Sequence, residues 1–317
     1  MILITEFMDE EAIDFLRSKY EVVYDKELAN KQQDIPNKMK GIKALIVRNR
    51  TKVSINLLEK SPNLSCVGRL GVGLDNIDLT ACRDKKINIY PATGANTNSV
   101  VEYVITTALV LLRGAFNKNH QMIAGAWPRE ESSGNEISGK TLGLVGFGEI
   151  AQKTSILAKS FNMKIIAYDP FIEETSNLWN GVTKVSLDEL LRSSDVVSIH
   201  TPLNANTHHL INSDNLKLLK QSSVIINAAR GGVVDDKALA KLLRGNKIKG
   251  AALDVFETEP MDQSSGDYFK GLDNVILTPH IGGVTYEANQ QVSSMIAKKV
   301  DEHLSLIHIS EPTRRYE

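Results

Sequence analysis

Four ionisable side chains, His200, Arg230, Asp254 and His280, each stand at or just beyond the end of a short apolar run: DVVSIH (195–200), SVIINAA (223–229), GAALDV (250–255) and NVILTPH (274–280). Runs of this length and composition predict buried parallel strands. In an open α/β sheet, ligands bind outside the carboxyl ends of the strands, so four such groups arriving from separate strands are expected to converge on one crevice. Ionisable groups brought together in that way are candidates for binding and proton transfer.

A second signal is GLVGFGEIA (143–151), where Gly146, Gly148 and Ala151 fill a G-x-G-x-x-G/A pattern between an expected strand and an expected helix. Gly146 permits the tight turn and Gly148 lets the backbone approach a pyrophosphate. The helix N-terminus beyond them offers free N–H groups and the positive end of its dipole. Asp169, 21 residues past Gly148, ends the next expected strand, where a carboxylate accepts ribose hydroxyls. A carboxylate there repels a 2′-phosphate, and the following PFIEE supplies no arginine to receive one, so NAD is expected rather than NADP.

The elements that must carry these groups form two βα series. The first is ILIT (2–5), EVVY (21–24), IKALIV (42–47), SCVGRL (65–70) and INIY (87–90), each run followed by ten to fifteen residues of helical character. A long helix over 98–117 leaves this series. The polar stretch PREESSGNEISGK (128–140) then leads to the second, TLGLVGF (141–147), KIIAY (164–168) and the four runs above. Alternation of this kind implies parallel sheets, and six strands with intervening helices suit a doubly wound nucleotide fold. After 283, Ala288, Val292, Met295, Ile296 and Val300 share one helical face. That helix is expected to return to the first domain. The expected division is therefore 1–97 plus 284–303, and 98–283.

At 317 residues, with 42% apolar and 24% charged residues, the chain has the balance of an ordinary globular protein of two domains. The 37 basic and 38 acidic residues give a net charge of −1, which leaves no global field for nucleic acid or anionic membrane. Cys66 and Cys82 are too few for a disulfide scaffold and lack partners at metal-ligand spacing. No metal and a reducing cytoplasm are expected. The start MILITEFMDE does not read as a secretory signal, and VVEYVITTALVLL (100–112) is too short to span a bilayer.

NAARGGVVD (227–235), ALDVFETEP (252–260) and TPHIGG (278–283), in that order and spacing, resemble the D-isomer-specific 2-hydroxyacid dehydrogenases through about residue 303. The resemblance implies a Rossmann NAD-binding domain inserted into a flavodoxin-like substrate domain, and hydride exchange between NAD and a small hydroxy acid. It makes Arg230 the holder of the substrate carboxylate, a task suited to its planar fork, and His280 the general acid/base, with Glu259 orienting the ring. It assigns Glu149, Ile150, His200, Thr201, Pro202, Ala228 and Asp254 to the cofactor, beside Gly146, Gly148 and Asp169. Asp254 is implied to meet the nicotinamide amide. The loop LGVGLDN (70–76) is similar to the family's second carboxylate cradle, built on the N–H groups of Val72 and Gly73. Relatives are usually homodimers with the long helix over 98–117 at the subunit contact; the apolar face around Val104, Ala108, Leu111 and Leu112 is compatible with that contact and equally with burial inside the domain.

Substrate choice rests on Arg48, Arg50 and Arg69, near expected strand ends of the first domain. In the phosphoglycerate branch, arginines matching Arg48 and Arg69 grip a second anion. Desolvated arginines without a counter-charge are costly, so a plain lactate-like substrate explains them less well. 3-Sulfolactate and 3-phosphoglycerate both fit, and ITEFMDE, RNRTKV and LLRGAF look most like the sulfolactate branch. (S)-Sulfolactate has the spatial arrangement of a D-hydroxy acid, because sulfur raises the priority of one arm. Hydroxypyruvate or glyoxylate reduction is an alternative, as is an NAD-sensing co-repressor or scaffold with the same fold. Finally, LSLIHISEPTR (304–314) matches the translation of a sequencing-library adapter, so 304–317 are expected to be foreign to the gene.

Overall fold

The computed structural model describes residues 1–114 and 118–310, the side chains of 307–310 excepted. It contains two compact units. Unit 1 is formed by residues 1–96 and the segment from Val284 onward, and unit 2 by Thr97–Gly283.

Unit 1 carries β1 (Ile2–Ile4), β2 (Val22–Tyr24), β3 (Ala44–Val47), β4 (Cys66–Arg69) and β5 (Asn88–Pro91) in one sheet of order β2-β1-β3-β4-β5. All pairings are parallel, with Leu3 of β1 in register with Val23 and Leu45. The order is flavodoxin-like. Successive side chains of a strand point to opposite faces, and the core divides accordingly. Ile2, Ile4, Ala44 and Ile46 pack under Ile13 and Leu16 of the helix Glu10–Arg17, while Leu3, Leu45 and Val47 pack against Leu57, Leu58 and Cys82. The long helix Tyr286–Ser310 seals the first face with Val292, Ile296 and Val300, and Met295 is partly buried beside them. It fits closely: a Cβ on Gly68 of β4 would lie 2.6 Å from Ile296 Cγ2. The helix runs on through buried Leu304, while residues 311–317 of the expected foreign tail lie outside the described residues.

Unit 2 holds β6 (Thr141–Val145), β7 (Lys164–Tyr168), β8 (Thr183–Lys184), β9 (Val196–Ile199), β10 (Val224–Asn227), β11 (Gly250–Leu253) and β12 (Val275–Leu277). Their order, β12-β11-β10-β9-β6-β7-β8, is the doubly wound dinucleotide arrangement with the switch point between β6 and β9. The sheet has one strand more than the six expected. β8 has two residues, pairing with Ile166 and Ala167 of β7, too few to show an alternating pattern.

The expected helix over 98–117 runs instead from Thr97 to Arg113, and Gly114 follows at φ +62°. Glycine at that position ends a helix without steric cost. Residues 115–117 lie outside the described residues. Of the two readings of the apolar face, burial inside the domain is the one observed: Val104, Ala108, Leu111 and Leu112 are buried within unit 2, in one cluster with Leu142, Leu144 and Val196. Their apolar surface is spent on the unit's own core. Among the described residues no helix is long and apolar enough to cross a membrane.

Candidate active site

All strands of unit 2 are parallel, so the residues that follow them share one edge of the sheet. Gly146 follows β6, Asp169 β7, His200 to Pro202 β9, Ala228 to Arg230 β10, Asp254 β11 and His280 β12. Hydrogen bonds gather them into two groups.

The first group surrounds the glycine turn. Gly146 sits at φ +89°, and a Cβ there would lie 2.8 Å from the His200 carbonyl oxygen, so only glycine allows this approach of β6 and β9. The Asp169 carboxylate accepts from the Phe147 N–H (2.9 Å) and the Phe171 N–H (2.9 Å). It therefore braces the turn while each oxygen keeps a lone pair for a ligand hydroxyl. The helix Glu149–Ser160 begins at Gly148 without a side-chain cap, and a Cβ on Gly148 would meet open space. Among the described residues the Glu149 and Ile150 N–H groups donate to no protein acceptor. The Glu149 carboxylate itself turns to Lys153 (3.2 Å) and Thr97 (3.3 Å). His200 Nε2 pairs with buried Ser198 Oγ at 2.9 Å, and burial pushes the imidazole pKa down to about 4, so this ring is neutral at physiological pH. Thr201 Oγ1 is buried with no partner among the described residues.

The second group holds the candidate chemistry. Buried Asn227 shapes the turn after β10, accepting from the Ala229 N–H (3.1 Å) and donating to the Arg230 carbonyl (3.0 Å). Arg230 Nη1 donates to the Ala229 carbonyl at 2.6 Å. Gly231 admits the neighbouring loop, since a Cβ would overlap the Phe256 carbonyl oxygen at 1.7 Å. Glu259 accepts from the Phe256 N–H through Oε1 (3.0 Å), and its Oε2 lies 2.6 Å from His280 Nδ1. Burial alone would raise the Glu259 pKa. The bond to His280, the charges of His280 and Arg230 and the Phe256 N–H outweigh it and hold the carboxyl below its usual range. The pair keeps access to solvent, with side-chain exposures of 37% for His280 and 32% for Glu259. Among the described residues nothing bonds His280 Nε2. His280 lies at φ +57°, a left-handed conformation that costs a non-glycine residue roughly 1–3 kcal/mol and persists only where neighbours enforce it.

Asp254 is that neighbour. Its carbonyl oxygen accepts from the His280 N–H (2.8 Å), and its carboxylate accepts from Thr278 Oγ1 (2.6 Å), the Ile281 N–H (2.8 Å) and the Gly282 N–H (2.7 Å). Three of about four lone-pair directions are used within the protein. Asp254 thus organises the turn carrying His280, a role beyond the cofactor contact that the resemblance implies.

In unit 1, Arg48 and Arg69 stand at the carboxyl ends of the adjacent strands β3 and β4. Arg48 Nη2 donates to Asn289 Oδ1 at 2.7 Å, and among the described residues no carboxylate lies within ion-pair distance of it. Burial lowers its pKa, opposed by the nearby charge of Glu6. That buried carboxylate is engaged elsewhere: it accepts from the N–H groups of Arg48 (2.8 Å), Thr51 (2.9 Å) and Arg50 (3.1 Å) and so moulds the loop. Arg50 is exposed and bonds Asn30 Oδ1. Arg69 folds back over Gly71, where a Cβ would lie 1.6 Å from Nη1, and donates to the Leu70 carbonyl at 3.2 Å. In the loop beyond, Val72 is exposed and Gly73 half-buried, and among the described residues their N–H groups donate to no protein acceptor. Glu6 and Asn289 were not expected from sequence. Glu6 carried a usable signal, standing just past β1 at the same strand edge.

Comparison with known proteins decides the family. The profile described as "D-isomer specific 2-hydroxyacid dehydrogenase, NAD binding domain" matches residues 105–282. The chain belongs to this family. It is 45% identical over 306 residues to an (S)-sulfolactate dehydrogenase of Chromohalobacter salexigens, covering 96% of this chain and 98% of that one. Against a hydroxypyruvate reductase of Thermotoga maritima the identity is 37%, covering 94% and 96%. The crystal structure of a D-lactate dehydrogenase from Aquifex aeolicus complexed with NAD and lactic acid superposes with a TM-score of 0.86 at 28% identity, covering 98% of this chain and 97% of that one. The dehydrogenase is an oxidoreductase acting on CH–OH, with NAD as its cofactor. Its own residues fit that cofactor. Gly146 makes the close turn, the uncapped helix start leaves N–H groups for a pyrophosphate, Asp169 keeps lone pairs for ribose, and Thr201 has an unspent buried hydroxyl.

Proposed function

We propose that this dehydrogenase acts on a 2-hydroxy acid bearing a second anionic group, with 3-sulfolactate the first candidate and 3-phosphoglycerate the second. One observation carries the reading: Arg48 is a partly buried guanidinium whose bonded partner is a neutral amide, so its charge is left for a ligand. The similarity to a sulfolactate dehydrogenase supports the choice between the two anions.

In this reading Arg230 of unit 2 is the group for the substrate carboxylate and the reacting oxygen. Within unit 1, Arg48 and Arg69 are the groups for a second anion, and Val72 and Gly73 present N–H groups suited to a carboxylate. His280 receives the hydroxyl proton on Nε2 during oxidation and returns it during reduction. Glu259, held ionised, fixes the ring through Nδ1 and stabilises the imidazolium. NAD, when bound by Gly146, Gly148, Glu149, Ile150, Asp169, His200, Thr201, Pro202, Ala228 and Asp254, supplies the hydride acceptor. A cytoplasmic homodimer belongs to the same reading. Exposed Ile123 and Trp127 give it an apolar surface outside the core, and unbridged Cys66 and Cys82 suit a reducing compartment.

The test is an absorbance assay of NAD reduction with 3-sulfolactate, 3-phosphoglycerate, glycerate and lactate. The reading expects the two dianions to give the highest kcat/KM. Preference for lactate or glycerate would replace it with a reductase of plain 2-oxo acids, a reading favoured by the similarity to a hydroxypyruvate reductase.

A further inference from the structure

The turn Thr278–Gly282 closes around one residue. The Thr278 hydroxyl, the His280 N–H, the Ile281 N–H and the Gly282 N–H all end on Asp254, and Pro279 has no N–H to place. A hydroxyl has one proton, and that of Thr278 goes to the Asp254 carboxylate. Tyr103, whose oxygen lies 2.7 Å from Thr278 Oγ1, must therefore be the donor to it. The chain of donation runs one way, from Tyr103 to Thr278 to Asp254. Its origin is rigid: Tyr103 sits on the helix Thr97–Arg113 beside buried Val104 and Thr107, and Thr107 Oγ1 bonds the Tyr103 carbonyl at 2.8 Å. The space is closed as well, since a Cβ on Gly282 would lie 3.0 Å from Asp254 Oδ2 and 3.5 Å from Tyr103 Cγ.

We propose that Tyr103 and Thr278 are positioning residues for His280, acting through Asp254 to lock the backbone from which the imidazole is aimed. Glu259 restrains the ring and this chain restrains the turn, and the strained φ of His280 needs both. The inference rests on His280 being the proton-transferring group. A small displacement of such a group lowers turnover more than substrate binding, because the transition state requires alignment that the ground state tolerates losing.

The experiment compares Thr278→Val, Thr278→Ser and Tyr103→Phe with the parent enzyme, using the best substrate of the panel and checking each fold by thermal unfolding. Valine keeps the shape and loses the hydroxyl, whereas serine keeps the hydroxyl and loses the methyl. Positioning predicts that Thr278→Val lowers kcat about tenfold with KM within about twofold, that Thr278→Ser stays within about twofold of the parent, and that Tyr103→Phe loses about fivefold. Combining Tyr103→Phe with Thr278→Val should cost no more than Thr278→Val alone, since the tyrosine has then lost its acceptor. The reverse order, serine worse than valine, would mean packing and overturn the proposal, as would independent, multiplying losses. Should Thr278→Val not fold, Tyr103→Phe carries the test, and an unchanged kcat there overturns it. His280→Ala separates the two levels: if it keeps turnover, the acid/base reading fails and the proposal with it. If it is inactive while Thr278→Val matches the parent, only the positioning proposal fails.

Discussion

The strand-edge residues of the two units handle charge in opposite ways. In unit 2, Glu259 and His280 face each other at 2.6 Å, Arg230 lowers the carboxyl's pKa, and Asp254 gathers bonds from the hydroxyl of Thr278 and from three backbone N–H groups. In unit 1, Arg48 rests on the neutral oxygen of Asn289, and Glu6, a buried acid nearby, spends its oxygens on backbone N–H groups. A group that must transfer a proton gains from being held in one geometry by the fold, since alignment contributes directly to rate. A cation that must recognise an anion gains from keeping its charge unneutralised until the ligand arrives, because a resident carboxylate would have to be displaced. On the proposed reading, the first region serves the chemistry and the second serves selection.

The largest expected effect follows from the first region. His280→Ala should lower kcat by on the order of 10³-fold while leaving NAD affinity, measured by calorimetry, within about twofold. Loss of NAD binding together with activity would make the histidine a structural element of the cofactor site and erase the contrast. A smaller effect belongs to the second region. Asn289→Ala removes the rest on which Arg48 is oriented, and KM for 3-sulfolactate should rise about fivefold with kcat little changed.

The smallest effect concerns stability and lies beside the chemical region. Asp236 is 5% exposed, accepts from the Glu257 N–H at 3.2 Å, and has Oδ1 without a partner among the described residues. Burial raises its pKa to about 7, with the charges of Glu257 and Asp235 adding to the rise. A carboxyl whose pKa is raised on folding contributes its full stability below the unfolded value, and that contribution is lost as pH climbs through the folded one. Asp236→Asn should therefore raise Tm by a few degrees at pH 8 and change it little at pH 4, an effect on the order of 1 kcal/mol. Equal shifts at both pH values would show that the side chain's charge is not the cause.

The residues differ in how far sequence alone exposed them. Strand ends were legible because short apolar runs between polar segments mark buried parallel strands, and His200, Arg230, Asp254 and His280 could be placed on one edge from that pattern. β8 was invisible because two residues show no alternation. The apolar face of the helix Thr97–Arg113 was visible as a face, but periodicity does not say what covers it, and the structure covers it with the unit's own core. Glu6 and Asn289 escaped notice for a different reason: their partners lie 42 and 241 positions away along the chain, and only the fold brings them to Arg48. The donors that converge on Asp254 were equally hidden, since a strand-end acid looks the same whether it faces a ligand or braces a turn.

The central claim is that unit 1 selects a second anion through Arg48, and one comparison tests it most directly: the effect of Arg48→Ala on kcat/KM for 3-sulfolactate and for lactate, measured side by side. Loss of a charge-assisted contact predicts a fall of about 10- to 100-fold for 3-sulfolactate, carried by KM, against a change within about threefold for lactate. An equal fall for both substrates would contradict the account and assign Arg48 to the fold rather than to recognition.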